Sequence, residues 1–580
     1  MTCLLLLCGG ITILLATPAE PSPAAATAQQ AVWFEDATAA CGLDFVHDSG
    51  AGKHFYFPEI MGAGGALFDS DGDGDLDLYL VQGRPLAADG DTGADPASPP
   101  PNPVYAAGDR LFRNDLVPVR EAAPRVGFVD VSEASGIPAG GVGMGVAIGD
   151  VDNDGHLDIY VASHGPNRLL RNRGDGRFED VTMASGADDP RWSVTAAFFD
   201  YDGDGWQDLY VANYVDYSPA RNIPCFGNTG ALDYCGPDSY SPLPDRLFRN
   251  LGNGRFEETT GAAGLSGPRE ASLGVAVVDV DGDGWQDLYV ANDRLPNRLW
   301  MNQGNGSFRD EALSRGCAVN AEGQPEASMG VAVADVDSDG DEDFFVTHLT
   351  RETNTLYAND GSGMFSDRTL MSGLGMASWQ MTGFGTAWLD YDNDGAVDLI
   401  VVNGAVTTIQ DLFQARDPYP FHQPNQLFRQ QPGGTFTDVT ALSGDVFAIS
   451  EVSRGAIRGD LDNDGDPDVV ITNNNGPTRI LLNQGGNRNA WIGVRPVLAA
   501  GALAEVEARV RVDANALSRW GRSLRAASYA SSIDPRILIG LGSTAGPVSV
   551  SLLRPGGERR RWQGLYPDRY WVLPVRGSRP

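Results

Sequence analysis

Lysine is almost missing from this chain. Lys53 is the only one in 580 residues, so nearly all of the 42 basic side chains are arginine. Positive charge is scarce altogether, because 77 acidic residues leave a net charge of −35 at pH 7. That balance argues against a nucleic-acid partner, whose phosphates must be neutralised by lysine and arginine. It fits a cation ligand or a well-solvated surface. Histidine is also sparse, with six residues scattered at 47, 54, 156, 164, 348 and 422. There is no H-E-x-x-H, no G-x-S-x-G and no P-loop, which leaves no recognisable catalytic constellation.

Long apolar runs are absent beyond the amino terminus. The run from Cys3 to Ala16, CLLLLCGGITILLA, has the length of a signal-peptide core, and Ala26-Thr27-Ala28 offers a cleavage site. Residues 1–28 are therefore expected to be an export segment. An uncleaved membrane anchor is the alternative, although ~18 or more apolar residues are normally needed to span a bilayer. The mature chain is expected to lack a transmembrane span and to be secreted, periplasmic or at the cell surface. Such compartments are oxidising. Four cysteines remain after cleavage. Cys225 and Cys235 bracket CFGNTGALDYC in a loop rich in Pro, Gly and Tyr, and are expected to form a local disulfide. Cys41 and Cys317 sit at equivalent points of different repeats, far apart in a ring, and are expected to stay unpaired as buried thiols.

What the chain has in excess is aspartate at fixed spacing. The dodecamer DGDGWQDLYVAN occurs at 202–213 and again at 281–292. It belongs to a longer unit containing D-x-D-x-D-G-x-x-D, which begins at Asp69, Asp150, Asp200, Asp279, Asp335, Asp390 and Asp460. Small and apolar residues such as MGVAIG or LGVAVV precede each loop, and a β-rich run such as LYVA follows it. Two further segments recur in step, one like LFRN (111, 247) and one like FEDVT (34, 178). Tight turns such as LGNGR, a hairpin signal, often join them. Each unit thus supplies four strands: A before the loop, B after it, then C and D. Four-stranded units repeated radially make a β-propeller. The expected fold is all-β, with a seven-bladed β-propeller over 31–487 and a small β-rich region over 488–580. The first D-type strand, at 34–38, precedes the first loop. It is expected to complete the last blade beside 478–483 and close the ring.

The loops are expected to bind calcium. Ca²⁺ takes six to eight oxygen ligands. Carboxylates at positions 1, 3, 5 and 9 of each loop can converge on one ion, with Gly at position 6 for the turn and a backbone carbonyl at position 7. The candidate ligands are Asp69, Asp71, Asp73 and Asp77; Asp150, Asp152, Asp154 and Asp158; Asp200, Asp202, Asp204 and Asp208; Asp279, Asp281, Asp283 and Asp287; Asp335, Asp337, Asp339 and Asp343; Asp390, Asp392, Asp394 and Asp398; and Asp460, Asp462, Asp464 and Asp468. An EF-hand is excluded, because it needs a bidentate Glu at position 12. That position holds Leu80, Val161, Val211, Val290, Val346, Val401 and Ile471. Without a counterion so many converging carboxylates would repel one another. The sites are read as structural, up to seven, and weak, with Kd roughly 10⁻⁴–10⁻³ M as in extracellular modules.

These units resemble FG-GAP/VCBS repeats, the blades of the integrin α-chain propeller. The segment PEIMGAGGALFDSDGDGDLDLYLVQG and the loop ending in DYCGP resemble bacterial relatives of the cartilage acidic protein family. The resemblance implies a calcium-stabilised extracellular propeller used for adhesion or ligand binding. From Arg488 onward, fifteen arginines face six acids, a local charge of +9. VEARVRVD alternates as a half-buried strand should, and ILIGLG, VSVSLL and YWVLPV read as further strands. SYASSIDPRILIGLG followed by VSVSLLRPGG resembles the ASPIC/UnbV domain, although Arg554-Pro555-Gly556-Gly557 replaces the family's Trp-Pro-x-Gly turn. The basic region is open to three readings: docked on the acidic propeller, bound to an anionic polymer, or solvated.

In a blade the A–B and C–D turns share one face, and the B–C and D–A connections share the other. From the last loop aspartate to strand C the gap is 11 to 13 residues in blades 2, 4, 5 and 7, but 34, 39 and 29 in blades 1, 3 and 6. These insertions gather on the calcium-free face and carry Tyr105, Tyr214, Tyr217, Phe226, Tyr234, Tyr240, Tyr419 and Phe421. The first D–A loop adds His54, Phe55 and Tyr56. Long loops on a rigid scaffold are where binding concentrates. The expected function is a monomeric, non-enzymatic module that binds an extracellular protein or glycan on this face. A calcium-dependent polysaccharide lyase is the alternative.

Overall fold

The computed structural model describes residues 33–86, 108–117, 125–228, 230–497, 508–514, 517–544, 546–554 and 559–575. The export segment and Tyr105 lie outside them. The chain from Val32 to Pro580 forms one compact unit.

Seven sheets follow the A-B-C-D order of the repeat. In blade 4, for example, the strands are Ser272–Val278, Asp287–Asn292, Arg298–Asn302 and Phe308–Asp310. The A and B strands are buried along their whole length. Their central residues, LGVAVV and LYVA, therefore read as continuous small and apolar runs rather than alternating ones. The innermost strands neighbour one another in sequence order, and Ser453–Gly459 of blade 7 lies against Gly65–Phe68 of blade 1. Closure is by Phe34–Asp36, which pairs antiparallel with strand C of blade 7, Phe34 opposite Asn483 and Asp36 opposite Leu481.

The last residue of strand C explains the recurring LFRN. Its side-chain amide crosses to the preceding blade and donates to the carbonyl at position 2 of that blade's aspartate loop. Asn172 reaches Ser70 O at 2.8 Å, Asn250 reaches Val151 O at 2.8 Å and Asn302 reaches Tyr201 O at 2.8 Å. Asn359 reaches Val280 O, Gln430 reaches Val336 O and Asn483 reaches Tyr391 O. Asn114 closes the circle on Leu461 O at 3.0 Å. A buried carbonyl left without a donor costs about 1–3 kcal/mol, so each blade is latched to its neighbour by a residue of its own motif.

The carboxy-terminal region forms two further sheets. Ala490–Val497 runs between Ile537–Gly542 and Tyr570–Pro574. Leu517–Arg522, Arg509–Ala514, Val548–Leu553 and Arg559–Leu565 make the second. Their inner faces share a core that includes Ile492, Val510, Val512, Val550 and Leu552.

Between these sheets the chain does something no sequence feature anticipated. Residues 523–536 enter the centre of the ring. Ala526–Ala527 pairs with Ser531–Ser532 as a small hairpin, and Ser532 continues the sheet of blade 1 beside Ala66. Ser528 exchanges backbone hydrogen bonds with Val331 of blade 5 at 2.8 and 3.0 Å, and Ala530 O accepts from Val146 N of blade 2. The Ser528 hydroxyl accepts from Thr386 N of blade 6 and Ala456 N of blade 7. Tyr529 is fully buried, packs edge-on to Phe384 at 4.9 Å, and donates its hydroxyl to Met61 O at 2.9 Å. The fit depends on the glycines of strand A. A side chain at Gly64 would collide with Ala530 O, and one at Gly455 would meet the Ser531 hydroxyl at 2.7 Å.

Candidate functional site

Each aspartate loop is a set of turns held by its own carboxylates. In blade 3, Asp200 Oδ2 accepts from Gly205 N at 2.9 Å, and the positive φ of Gly205, 90°, lets the chain turn there. Asp204 Oδ1 accepts from Trp206 N at 3.0 Å. Asp208 ties the loop to the sheet, accepting from Tyr201 N at 3.1 Å and from Asn250 N at 2.8 Å. The same bonds recur in blade 4 from Asp279, Asp283 and Asp287. A carboxylate has about four acceptor sites, so these bonds orient the group and leave lone pairs free.

The free lone pairs point at one another. Oxygens of Asp69, Asp71 and Asp77 lie within 4.8 Å of one another, as do those of Asp150, Asp152 and Asp158, Asp200, Asp202 and Asp208, Asp279, Asp281 and Asp287, and Asp335, Asp337 and Asp339. Burial first, and then the neighbouring aspartates, push Asp335 up to about 7 and Asp462 up to about 9. Burial also raises Asp208, Asp287 and Asp343 to about 8. Several oxygens are buried without a hydrogen-bond donor, among them Asp152 Oδ1, Asp281 Oδ1, Asp341 Oδ1, Asp462 Oδ1 and Asp466 Oδ1. An all-oxygen set of this kind fits a hard cation. Arginines of the ring supply part of the countercharge in three blades, with Arg249 on Asp202 at 2.6 Å, Arg315 on Asp281 at 3.3 Å and Arg429 on Asp392 at 2.5 Å. The repeat reading missed one donor. Position 7, assigned to a backbone carbonyl, is itself an aspartate in three loops: Asp75, Asp341 and Asp466. The aspartate was plain in the sequence, but it falls outside the shared pattern.

The opposite end differs from expectation. Among the described residues the blade 3 and blade 6 insertions do gather there, but most of their aromatics face inward. Tyr214 is 0% exposed and Tyr217, Tyr234 and Tyr56 are buried. Phe57, Trp192 and Tyr214 pack with ring centres 5.1 to 5.5 Å apart, and Tyr240 stacks on Phe57. These rings close the mouth of the channel above Tyr529. Pooling apolar surface from separate loops buries more of it than exposing it to water, so the rings that looked like a ligand platform became a second core. The insertions are also knitted by polar bonds, Asn222 Nδ2 to His54 O at 2.9 Å and Thr408 N to Asp233 Oδ2 at 2.9 Å. Glu59 is buried beneath them and accepts from the Tyr234 hydroxyl at 3.1 Å. Burial pushes its carboxyl up to about 8.

What stays exposed on that end is a smaller set. Cys225 and Cys235 are joined, with Cα atoms 5.3 Å apart. The hairpin between them, Cys225–Phe226 and Leu232–Asp233, presents Phe226 at 65% exposure and Leu232 at 44%. Phe413 and Tyr419 of the blade 6 insertion are exposed at 44% and 60%. Cys41 and Cys317 are both buried and unpaired.

The basic carboxy-terminal region lies on the loop-bearing end. Arg509 and Arg522 share Glu342, at 3.2 and 3.4 Å, and Arg495 reaches Asp69 at 4.0 Å. Of the three readings left open by the charge pattern, docking on the acidic ring is the one seen for these residues. No helix among the described residues is long and apolar enough to cross a membrane.

Repeated aspartate hairpins on a closed ring of sheets define an FG-GAP-repeat β-propeller. The family model for the FG-GAP-like repeat matches 150–211, 228–290, 279–346 and 335–401, and that for ASPIC and UnbV matches 501–579. The chain thus carries FG-GAP-like repeats followed by an ASPIC and UnbV region. It is similar to Cartilage acidic protein 1 of Mus musculus, 29% identical over 171 residues, which are 28% of this chain and 25% of that protein. The match to Cartilage acidic protein 1 of Xenopus tropicalis is 26% identical over 352 residues, 57% of this chain and 48% of the relative. The chain thus spans between a quarter and a half of these relatives. Among solved structures, YCF48 bound to D1 peptide aligns over 76% of this chain and 97% of its own at 7% identity and a TM-score of 0.37. An Agrocybe aegerita lectin that recognises non-reducing terminal N-acetylglucosamine aligns over 65% and 79% at 17% identity and a TM-score of 0.34.

Proposed function

We propose that this protein is an exported, calcium-stabilised propeller that works as a non-enzymatic binding or adhesion module. In this reading the aspartates of all seven loops hold Ca²⁺, which fixes the A–B hairpins and does no chemistry. Residues 31–487 form the ring, and 488–580 cap and plug it. The ligand, an extracellular protein or glycan, seats on the metal-free end, against Phe226, Leu232, Phe413 and Tyr419. One observation carries this reading. The loops are alike and spent on holding the ring, whereas the unlike insertions expose apolar side chains on a disulfide-braced support. Exposed aromatics on a rigid base are the usual anchors of recognition. The test is a screen of glycan and secreted-protein arrays, run with calcium and with chelator, on wild type and on Phe226→Ser with Tyr419→Ser. A ligand bound by wild type and lost in the double variant supports the assignment. Equal binding by both refutes it.

A further inference from the structure

The seven loops share a pattern but not an environment. In blades 1 to 5 the fifth-position carboxylate, from Asp73 round to Asp339, is exposed. In blades 6 and 7 no residue of 390–398 or 460–468 is exposed. The difference is the carboxy-terminal region, which sits on those two loops.

The contacts are specific. Over blade 7, Tyr570 donates its hydroxyl to Asp460 Oδ2 at 2.9 Å, and Arg536 donates to Asp460 O at 2.7 Å and to Asn463 Oδ1 at 2.5 Å. Asn487, in the link leaving the ring, donates to Asp464 Oδ2 at 2.5 Å, and Trp491 packs against Gly465, where a Cβ would overlap its ring. Over blade 6, Gly542 N donates to Asn393 O at 2.8 Å, and Gly540 is pressed so closely on Asp390 that a Cβ would collide with its carboxylate.

Beneath this cover the acceptors lack donors. Asp466 and Asn393 are both 0% exposed, and Oδ1 of each has no hydrogen-bond partner. Asp462 Oδ1 is in the same position. Asp464 is tied to the same turn, its Oδ1 accepting from Asp466 N at 3.2 Å. Carboxylates so close, walled off from water, need a cation between them. An ion enclosed there has no exit while the lid is down.

We propose that the divalent cations of the sixth and seventh loops are clamps that hold the carboxy-terminal region on the ring, and that they exchange only when it lifts. This rests on the reading that the loops hold calcium. The coupling is reciprocal: what encloses the ion is held by it, and each raises the other's affinity by the same factor. The five open loops, including those of blades 1 and 5 that ion-pair with the region at Asp69 and Glu342, keep an exposed fifth-position carboxylate and exchange freely.

The test mixes the calcium-loaded full chain rapidly with a fluorescent chelator and follows ion release. Two phases are expected, with the slow one at least tenfold slower and holding about two ions. Tyr570→Phe, which removes one hydroxyl and little packing, should speed the slow phase and leave the fast one unchanged. Asp204→Asn, in an open loop, should reduce only the fast amplitude. Hydrogen exchange of 537–542 and 570–574 should rise in step with the slow phase. Release in a single phase, or exchange protection that survives complete removal of calcium, would overturn the clamp while leaving calcium in the loops intact. A chain that carries no calcium overturns both readings.

Discussion

At one end of the ring, seven aspartate loops built to one pattern meet a basic carboxy-terminal region. At the other, the blade 3 and blade 6 insertions and the first D–A loop, which share no pattern, fold over one another. The first end is closed by charge and hydrogen bonds. The second is closed by aromatic packing, Phe57 on Trp192 and Tyr214. The two closures meet inside the channel, where Tyr529 of the carboxy-terminal region reaches through to Met61 O beneath the aromatic end. The difference shows how a repeat protein divides its labour. Positions repeated in every blade serve the ring, and positions found once are available for something else.

The largest effect should come from the residue that joins the two ends. Tyr529→Ala empties a fully buried site and leaves Met61 O without its donor. Large-to-small changes of this kind cost about 3–5 kcal/mol. Chemical denaturation with calcium present should show that loss. A cost under about 1 kcal/mol would mean that the carboxy-terminal region is appended to the ring rather than built into it.

Calcium removal should act on the regular end alone. With free calcium near Kd, each filled site adds about 0.4 kcal/mol, or about 3 kcal/mol over seven sites. Chelation should lower the melting temperature accordingly, and magnesium should restore less than calcium does, because it keeps its waters. A melting temperature indifferent to chelator would remove the distinction between the two ends.

The aromatic end should instead respond to pH, through Glu59. Its carboxyl titrates at about 8 when folded, against 4.5 as the reference, with burial as the main cause and the Tyr234 hydroxyl opposing it. A raised carboxyl means that the folded state binds the proton more tightly. Its contribution is therefore complete below about pH 4.5 and is lost as pH rises through 8. Between pH 7 and 8 the loss is about 1 kcal/mol. Glu59→Gln should abolish that slope in denaturant titrations, and an unchanged slope would show that another group carries it.

Much of the ring was legible before any coordinates. Each blade repeats the same strands, so a register visible once is visible seven times, and even the closing strand at Phe34–Asp36 follows from the count. The plug was not legible, because SYASSI occurs once and its small residues carry no periodicity. The glycines of MGVAIG and FGTAWL were visible, but they read as strand residues until Ala530 and Ser528 showed what occupies the space beside them. The aromatics of the insertions were found in sequence and misjudged in role. Tyr214 and Tyr234 are buried because separate loops converge in space, and a linear pattern does not record which side chains will meet.

That misjudgement narrows the last comparison to a few side chains. Phe226 and Tyr419 are exposed at 65% and 60%, and nothing in the fold depends on covering them. Replacing both with serine should change stability by no more than about 0.5 kcal/mol, as surface substitutions do. The same double variant should lose the ligand, since recognition concentrates in a few aromatic anchors. Measured together, unfolding and binding separate the two classes of aromatic at this end. Trp192→Ala should destabilise the fold, whereas Phe226→Ser should leave it intact and silence binding. If Phe226→Ser with Tyr419→Ser binds as wild type does, the exposed rim is inert. The search for a ligand then moves to the exposed fifth-position carboxylates of the five open aspartate loops.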